Sequence, residues 1–244
     1  MKVSIFLIIV LVGESVAFLR DRCDRTKCFD ESPMKELYQV LFMPSKDQLL
    51  RLCPKILEYV ACEFDTIKIC VGQSLEDLAT SSNRSVASFS SGLLGVRGLL
   101  RDVCDEESTL HKDYVAEIDC YRRYVAFGSM LCVDEARSVT NDFMDTVENL
   151  IDHDTGNVND ELQCLRAAYD LACRANELKD FCGVRAQKAF VNIFRRMKGV
   201  LGEIFCPNDG DFTHLRQKFL DTMNLQANER NRIEEIFDLF ENRR

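Results

Sequence analysis

Cys164-Leu-Arg-Ala-Ala-Tyr-Asp-Leu-Ala-Cys173, continuing to Cys182 and closing at Cys206, is the stretch that decides the fold. Its first three cysteines stand nine residues apart inside an uninterrupted helical pattern. Nine residues are two and a half helical turns, so Cys164 and Cys173 face opposite sides of a straight helix. One helix can thus be stapled to neighbours on both flanks. An earlier stretch has the same design, with Cys53, Cys62 and Cys70 spaced nine and eight apart and Cys104 closing the run. The local text agrees, Tyr59-Val60-Ala61-Cys62 standing against Asp170-Leu171-Ala172-Cys173. Cys23 and Cys28 precede the first set, and Cys120 and Cys132 precede the second, so the 12 cysteines divide evenly. The expectation is an all-α, disulfide-rich protein of two diverged six-cysteine helical units. They occupy residues 18–107 and 108–244, the second with a C-terminal helical extension.

Residues 1–17 read as a signal peptide: Met1-Lys2, an apolar core from Ile5 to Val12, then Ser15-Val16-Ala17 as a cleavage site. The apolar run falls short of the about 20 residues a membrane span needs, and no later stretch supplies one. The expected localisation is secreted and extracellular. An even cysteine count in an oxidising compartment favours disulfides over metal or redox duty. No Cys-x-x-Cys pair occurs, which removes the usual zinc knuckle and the thioredoxin-type motif. The bridge connectivity within each unit stays open at this point. A net charge of −9 argues against nucleic acid, where a basic stripe is expected, and against an electrostatic hold on anionic lipid.

Along the chain, Ser32-Pro33 opens a helix and Pro44 stops it. Ser45-Lys46-Asp47-Gln48 is a capping box, with a short helix to Cys53 and a new segment from Pro54. Further patterns run over Thr66 to Leu78, His111 to Cys132, Ala136 to Ile151, Asn159 to Leu178 and Val184 to Phe205. Two more cover Phe212 to Met223 and Ala227 to Asn242. Glycines between Ser88 and Gly98 weaken the helix there or permit close helix packing. Asp105-Glu106-Glu107-Ser108-Thr109 marks the boundary between units. The sole glycosylation sequon, Asn83-Arg84-Ser85, lies in a serine-rich break expected to be an exposed loop.

No catalytic set emerges. His111, His153 and His214 lack a second histidine at metal-ligand spacing. The loops at Asp152-His153-Asp154 and Asp209-Gly210-Asp211 fail the calcium pattern, because Ile151 and Phe205 fall where the first ligand belongs. Glu106 with Glu107 and Glu234 with Glu235 are adjacent pairs, which do not face one another on a helix. There is no Gly-x-Ser-x-Gly elbow, phosphate loop or dinucleotide fingerprint. No cofactor or metal is expected.

Sixteen phenylalanines without tryptophan fill a core or line a cavity for a small apolar molecule. The terminal stripe Ile233, Ile236, Phe237 and Phe240 lies beyond the last cysteine. It must therefore be held by packing, on its own chain, on a homodimer partner or on another protein. These four residues are the candidate partner-binding set.

The segment from Cys206 through Pro207, Asn208, Asp209, Gly210 and Asp211 to Leu220 resembles the text after a late cysteine in secreted, cysteine-rich nematode domains of unknown function. It also resembles a helical family of insect haemolymph glycoproteins. What these resemblances imply is a secreted helical binding or structural protein, with no catalytic residue to carry over. The reading is therefore a secreted, non-enzymatic protein recognising an extracellular protein partner, with a carrier of a small apolar ligand as the alternative and a hydrolytic enzyme behind both.

Overall fold

The computed structural model describes residues 28, 32–40, 43–127, 131–147, 158–206, 213–223 and 227–241. Residues 1–17, expected to be a leader, Cys23 and the segments Asp152-His153-Asp154 and Asp209-Gly210-Asp211 lie outside them. Every regular element described is a helix: α1 (Met34–Gln39), α2 (Lys46–Val71), α3 (Leu75–Leu78), α4 (Arg84–Cys104), α5 (Thr109–Phe127) and α6 (Leu131–Val147), then α7 (Val158–Cys182), α8 (Val184–Arg196), α9 (Lys198–Phe205), α10 (Thr213–Thr222) and α11 (Ala227–Glu241). The protein is all-α and disulfide-rich. Among the described residues no helix is long and apolar enough to cross a membrane.

The capping box at Ser45 forms: its hydroxyl accepts from the Gln48 amide, and the Gln48 side chain accepts from the Ser45 amide at 2.8 Å. From there α2 runs unbroken through Pro54, correcting the expected restart at that proline. Pro54 and Leu50, whose carbonyl loses its helical donor, are both on the exposed side of α2. Water can serve that carbonyl, so the helix tolerates the proline. The helix ends at Gly72, whose φ of 77° is the left-handed cap a side chain resists. This separates Val71 from α3, which carries its own capping box at Ser74 and Asp77.

Other boundaries also differ from expectation. Cys132 belongs to α6 and not to the helix that holds Cys120. The single helix expected from Val184 to Phe205 is broken at Met197 into α8 and α9. The glycine-rich run from Ser88 to Gly98 is fully helical within α4, and it packs closely rather than fraying. A Cβ on Gly92 would overlap the backbone of Val200 and Gly199, and one on Gly199 would overlap Ser88 and Gly92. Glycine there lets α4 and α9 cross almost backbone to backbone.

The described bridges join Cys28 to Cys62, Cys53 to Cys104, Cys120 to Cys182, Cys132 to Cys173 and Cys164 to Cys206. Cys70 is disulfide-bonded as well. Each of these five bridges closes a loop of 34 to 62 residues. In the chain-entropy account each removes about 4 kcal/mol of disorder from the unfolded state. As the spacing of nine requires, α7 is stapled on different faces: Cys164 to the end of α9, Cys173 to α6, and Cys182 to α5.

α7 lies at the centre, packed by α5, α6, α8, α9 and α11. One apolar core contains Leu49, Leu52 and Ile56 from α2 together with Leu165, Ala168 and Leu171 from α7. The two cysteine sets therefore share a core. Three side chains of α5 and one of α8 fasten the halves to each other. The Tyr114 hydroxyl donates to the Pro44 carbonyl at 2.9 Å. Arg122 donates to the Met43 carbonyl at 2.9 Å and to the Gln48 side chain at 2.8 Å. His111 Nδ1 lies 2.7 Å from the Val103 carbonyl, and Arg196 pairs with Asp102.

Candidate functional site

The structure corrects the expectation that the terminal stripe is an exposed partner face: Ile233, Ile236 and Phe237 are buried at 5%, 3% and 0% exposure and pack in the core, with Ile236 also lining the cleft described below. The side chain of Phe240 lies outside the described set. Phe237 meets Phe219, which in turn stands edge-on to Phe143 at 5.2 Å and to Tyr169 at 6.1 Å. This aromatic cluster ties α11 to α10, α6 and α7. Arg216 covers it, stacking on Phe237 and pairing with Asp238 at 2.9 Å. Burying each such side chain is worth about 1.5–3 kcal/mol, which holds α11 without a disulfide.

Other candidates also have structural places. His111 is buried and occupied with Val103, and the Cys132, Cys173 and Glu177 grouping is a closed disulfide beside a carboxylate. Asn83 is exposed at the N-cap of α4, where its Oδ1 accepts from the Val86 amide at 3.2 Å. That arrangement leaves its Nδ2, the atom a glycan would occupy, turned away from the helix bond.

The groups with displaced pKa values describe the scaffold. Burial pushes the hydroxyls of Tyr114, Tyr121 and Tyr124 well above the ordinary phenol range. Tyr121 donates to the Ala186 carbonyl at 2.8 Å and Tyr124 to Glu177 at 2.5 Å. At the surface, hydrogen bonds from Lys55, Arg97, Ser74 and Arg230 hold Glu36, Glu76, Asp77 and Asp221 below the usual carboxylate values. None of these groups lines a cleft with a nucleophile.

A cleft opens between α5, α7, α8 and α11, with a volume of about 500 Å³. Its buried apolar lining is Ala172 and Ala175 from α7, Ala189 from α8 and Ile236 from α11. Its walls carry Asp113, Asn176, Gln187, Lys188 and Asn192, and Arg195 with Glu235 at one edge. Arg195 and Glu235 pair at 2.7 Å. The side chains of Asp113, Asn176, Gln187, Lys188 and Asn192 have no hydrogen bond or ion pair among the described residues. The helical period explains the convergence. Gln187, Lys188, Val191, Asn192 and Arg195 fall on one face of α8, opposite the face of α7 that bears Ala172, Ala175 and Asn176. Small residues on the facing helices leave the gap that larger ones would close.

A second hollow of about 260 Å³ lies by Val139, Phe143, Tyr169 and Met223, rimmed by Asp142, Thr146 and Thr222. Neither hollow is the phenylalanine-lined chamber a carrier of apolar molecules requires. The 500 Å³ cleft was not visible in the sequence, because its α8 residues read as an ordinary solvated helix face. Only the alanines opposite turn that face into a wall. Comparison with protein-family models, with curated proteins and with solved structures returned no match for this chain.

Proposed function

We propose that this chain is a secreted, non-catalytic binding protein that recognises an extracellular protein partner, with the cleft between α7 and α8 as its receiving site. One observation carries the reading: five polar side chains without a partner among the described residues converge beside buried alanines and a helix stapled by three bridges. Polar groups without a described partner, four of them half-buried and Lys188 exposed, are poised to exchange water for a ligand's polar groups, while rigid helices keep the ordering cost of binding low. The leader, the disulfides and the exposed sequon at Asn83 fit an extracellular, glycosylated protein. The test places a photo-cross-linking residue at Lys188 and, as control, at exposed Arg101 on α4. A discrete protein adduct from the first position alone is the expected result. An apolar molecule released on denaturing the native protein, with no adduct, transfers the reading to the carrier alternative.

The two-unit organisation belongs to the same proposal. In both sets the second cysteine pairs with the fourth and the third with the sixth. In the second set the first pairs with the fifth. The helices that carry three cysteines end alike, Gly72 bonding back to Lys68 and Gly183 to Lys179, each at 2.9 Å and with positive φ. The residue after the middle cysteine is a buried charge in each, Glu63 and Arg174. A duplication therefore predicts that Cys23 joins Cys70. A non-reducing peptide map showing Cys23 as a thiol, or bonded elsewhere, breaks it.

A further inference from the structure

We infer that the cleft takes an extended peptide segment and grips it by its backbone. This rests on the proposal that the cleft receives a partner, and it names what part of the partner enters. The first support is chemical. Asn176, Gln187 and Asn192 each offer a carbonyl acceptor and two amide donors, the complement of a peptide unit's N–H and C=O. A backbone lying in a cleft must have those groups satisfied, and side-chain amides do so without regard to sequence.

The second support is dimensional. The α8 wall runs from Gln187 to Arg195, which at a rise of about 1.5 Å per residue is about 12 Å long. At about 3.3 Å per residue that spans three to four residues of extended chain. The volume of about 500 Å³ falls in the range of small-ligand sites. Ala172, Ala175 and Ala189 let a backbone approach closely and admit only small side chains beneath it.

The third support is charge. Asp113 and Glu235 balance Lys188 and Arg195, so the cleft favours neither an anion such as phosphate nor a cation. No aromatic ring among the described residues lines it, so a sugar finds no described face to stack on. A neutral, amide-rich chain is what remains.

The experiment uses the intact oxidised protein with isotope-labelled Asn and Gln side chains, titrated with capped tetra-alanine. The side-chain amide signals of Asn176, Gln187 and Asn192 are expected to shift and saturate. The same peptide with N-methylated amides should bind about tenfold or more weakly, having lost its donors. Asn192→Leu and Gln187→Leu, at half-buried positions, should abolish the saturable shift while the helical circular dichroism stays unchanged. Equal binding of the N-methylated peptide overturns backbone recognition. So does the absence of any saturable shift. If the Lys188 cross-link still yields a partner adduct in that case, the receiving-site reading survives and only the peptide inference falls.

Discussion

The two helices that carry three cysteines each, α2 and α7, are built alike and used differently. α2 buries one stripe, Leu49, Leu52, Ile56, Tyr59, Val60, Glu63 and Ile67, and leaves Leu50 and Ile69 in solvent, Ile69 at 84% exposure. α7 is enclosed by five helices and buries residues around most of its circumference, from Leu165 and Ala168 to Ala172, Ala175 and Leu178. Their side-chain sizes follow this difference. Large aliphatics on α2 reach across to a single layer, whereas alanines on α7 let several helices approach at once. The same spacing of cysteines thus serves an edge helix and a central one, and the described 500 Å³ cleft lies on the central one.

The largest expected effect comes from opening one bridge in each half. Cys164→Ala with Cys206→Ala, and Cys53→Ala with Cys104→Ala, remove loops of 42 and 51 residues. Loop entropy alone assigns each about 4 kcal/mol. Chemical denaturation should show a greater loss for the α7 bridge, because its removal also loosens the central packing. Equal losses would mean that α7 is central in position but not in energy.

Glycine contacts offer the next test, where α4 meets α9. Gly92→Ala, with its added carbon driven into the α9 backbone, should cost about 1–3 kcal/mol in unfolding free energy. Gly98→Ala, six residues on in the same helix and meeting nothing within 4 Å, should instead raise stability by up to about 1 kcal/mol. A harmless Gly92→Ala would show that α4 and α9 do not cross in contact.

Alkaline pH probes α5, which connects both halves. Tyr114, Tyr121 and Tyr124 have folded pKa values raised by burial above the ordinary phenol value of 10.0. Their contribution is fully present below that unfolded value and is lost as pH rises toward the folded ones. The denaturation midpoint should fall above about pH 10, together with the rise of tyrosinate absorbance. Tyr114→Phe should cost about 1 kcal/mol at neutral pH by leaving the Pro44 carbonyl without its donor. If tyrosinate forms at its ordinary pH with no loss of structure, the α5 hydroxyls are not buried as described.

The smallest effect is expected at Ile69 and at Phe181, the exposed residues beside Cys70 and Cys182. Ile69→Ser and Phe181→Ser should each change stability by no more than about 0.5 kcal/mol. A larger loss at Phe181, whose ring lies 6.1 Å from Tyr124, would show that the α7 terminus is packed more firmly than that of α2.

Much of this could be read from residues alone. The all-α class and the capping box at Ser45 follow from periodicity and from local hydrogen-bond chemistry, which nearby residues specify, while the pairing of thiols followed from their even number. Pro54 misled because a proline's cost depends on whether its orphaned carbonyl faces water, a property of the tertiary fold. The stripe at Ile233, Ile236 and Phe237 was legible as apolar, but its destination was not, since amphipathic faces do not name the surface they meet. Gln187, Lys188 and Asn192 were missed as a wall for the same reason: a polar face is solvent or site according to what stands across from it.

The sequence by itself determined that the chain is helical and disulfide-rich, because helical period and cysteine content are read from local sequence. Only the tertiary structure decided that the halves share one core, that α11 closes it, and that alanines on α7 open a cleft against α8. Those outcomes depend on the sizes of side chains brought together from distant positions, and no local pattern encodes that sum.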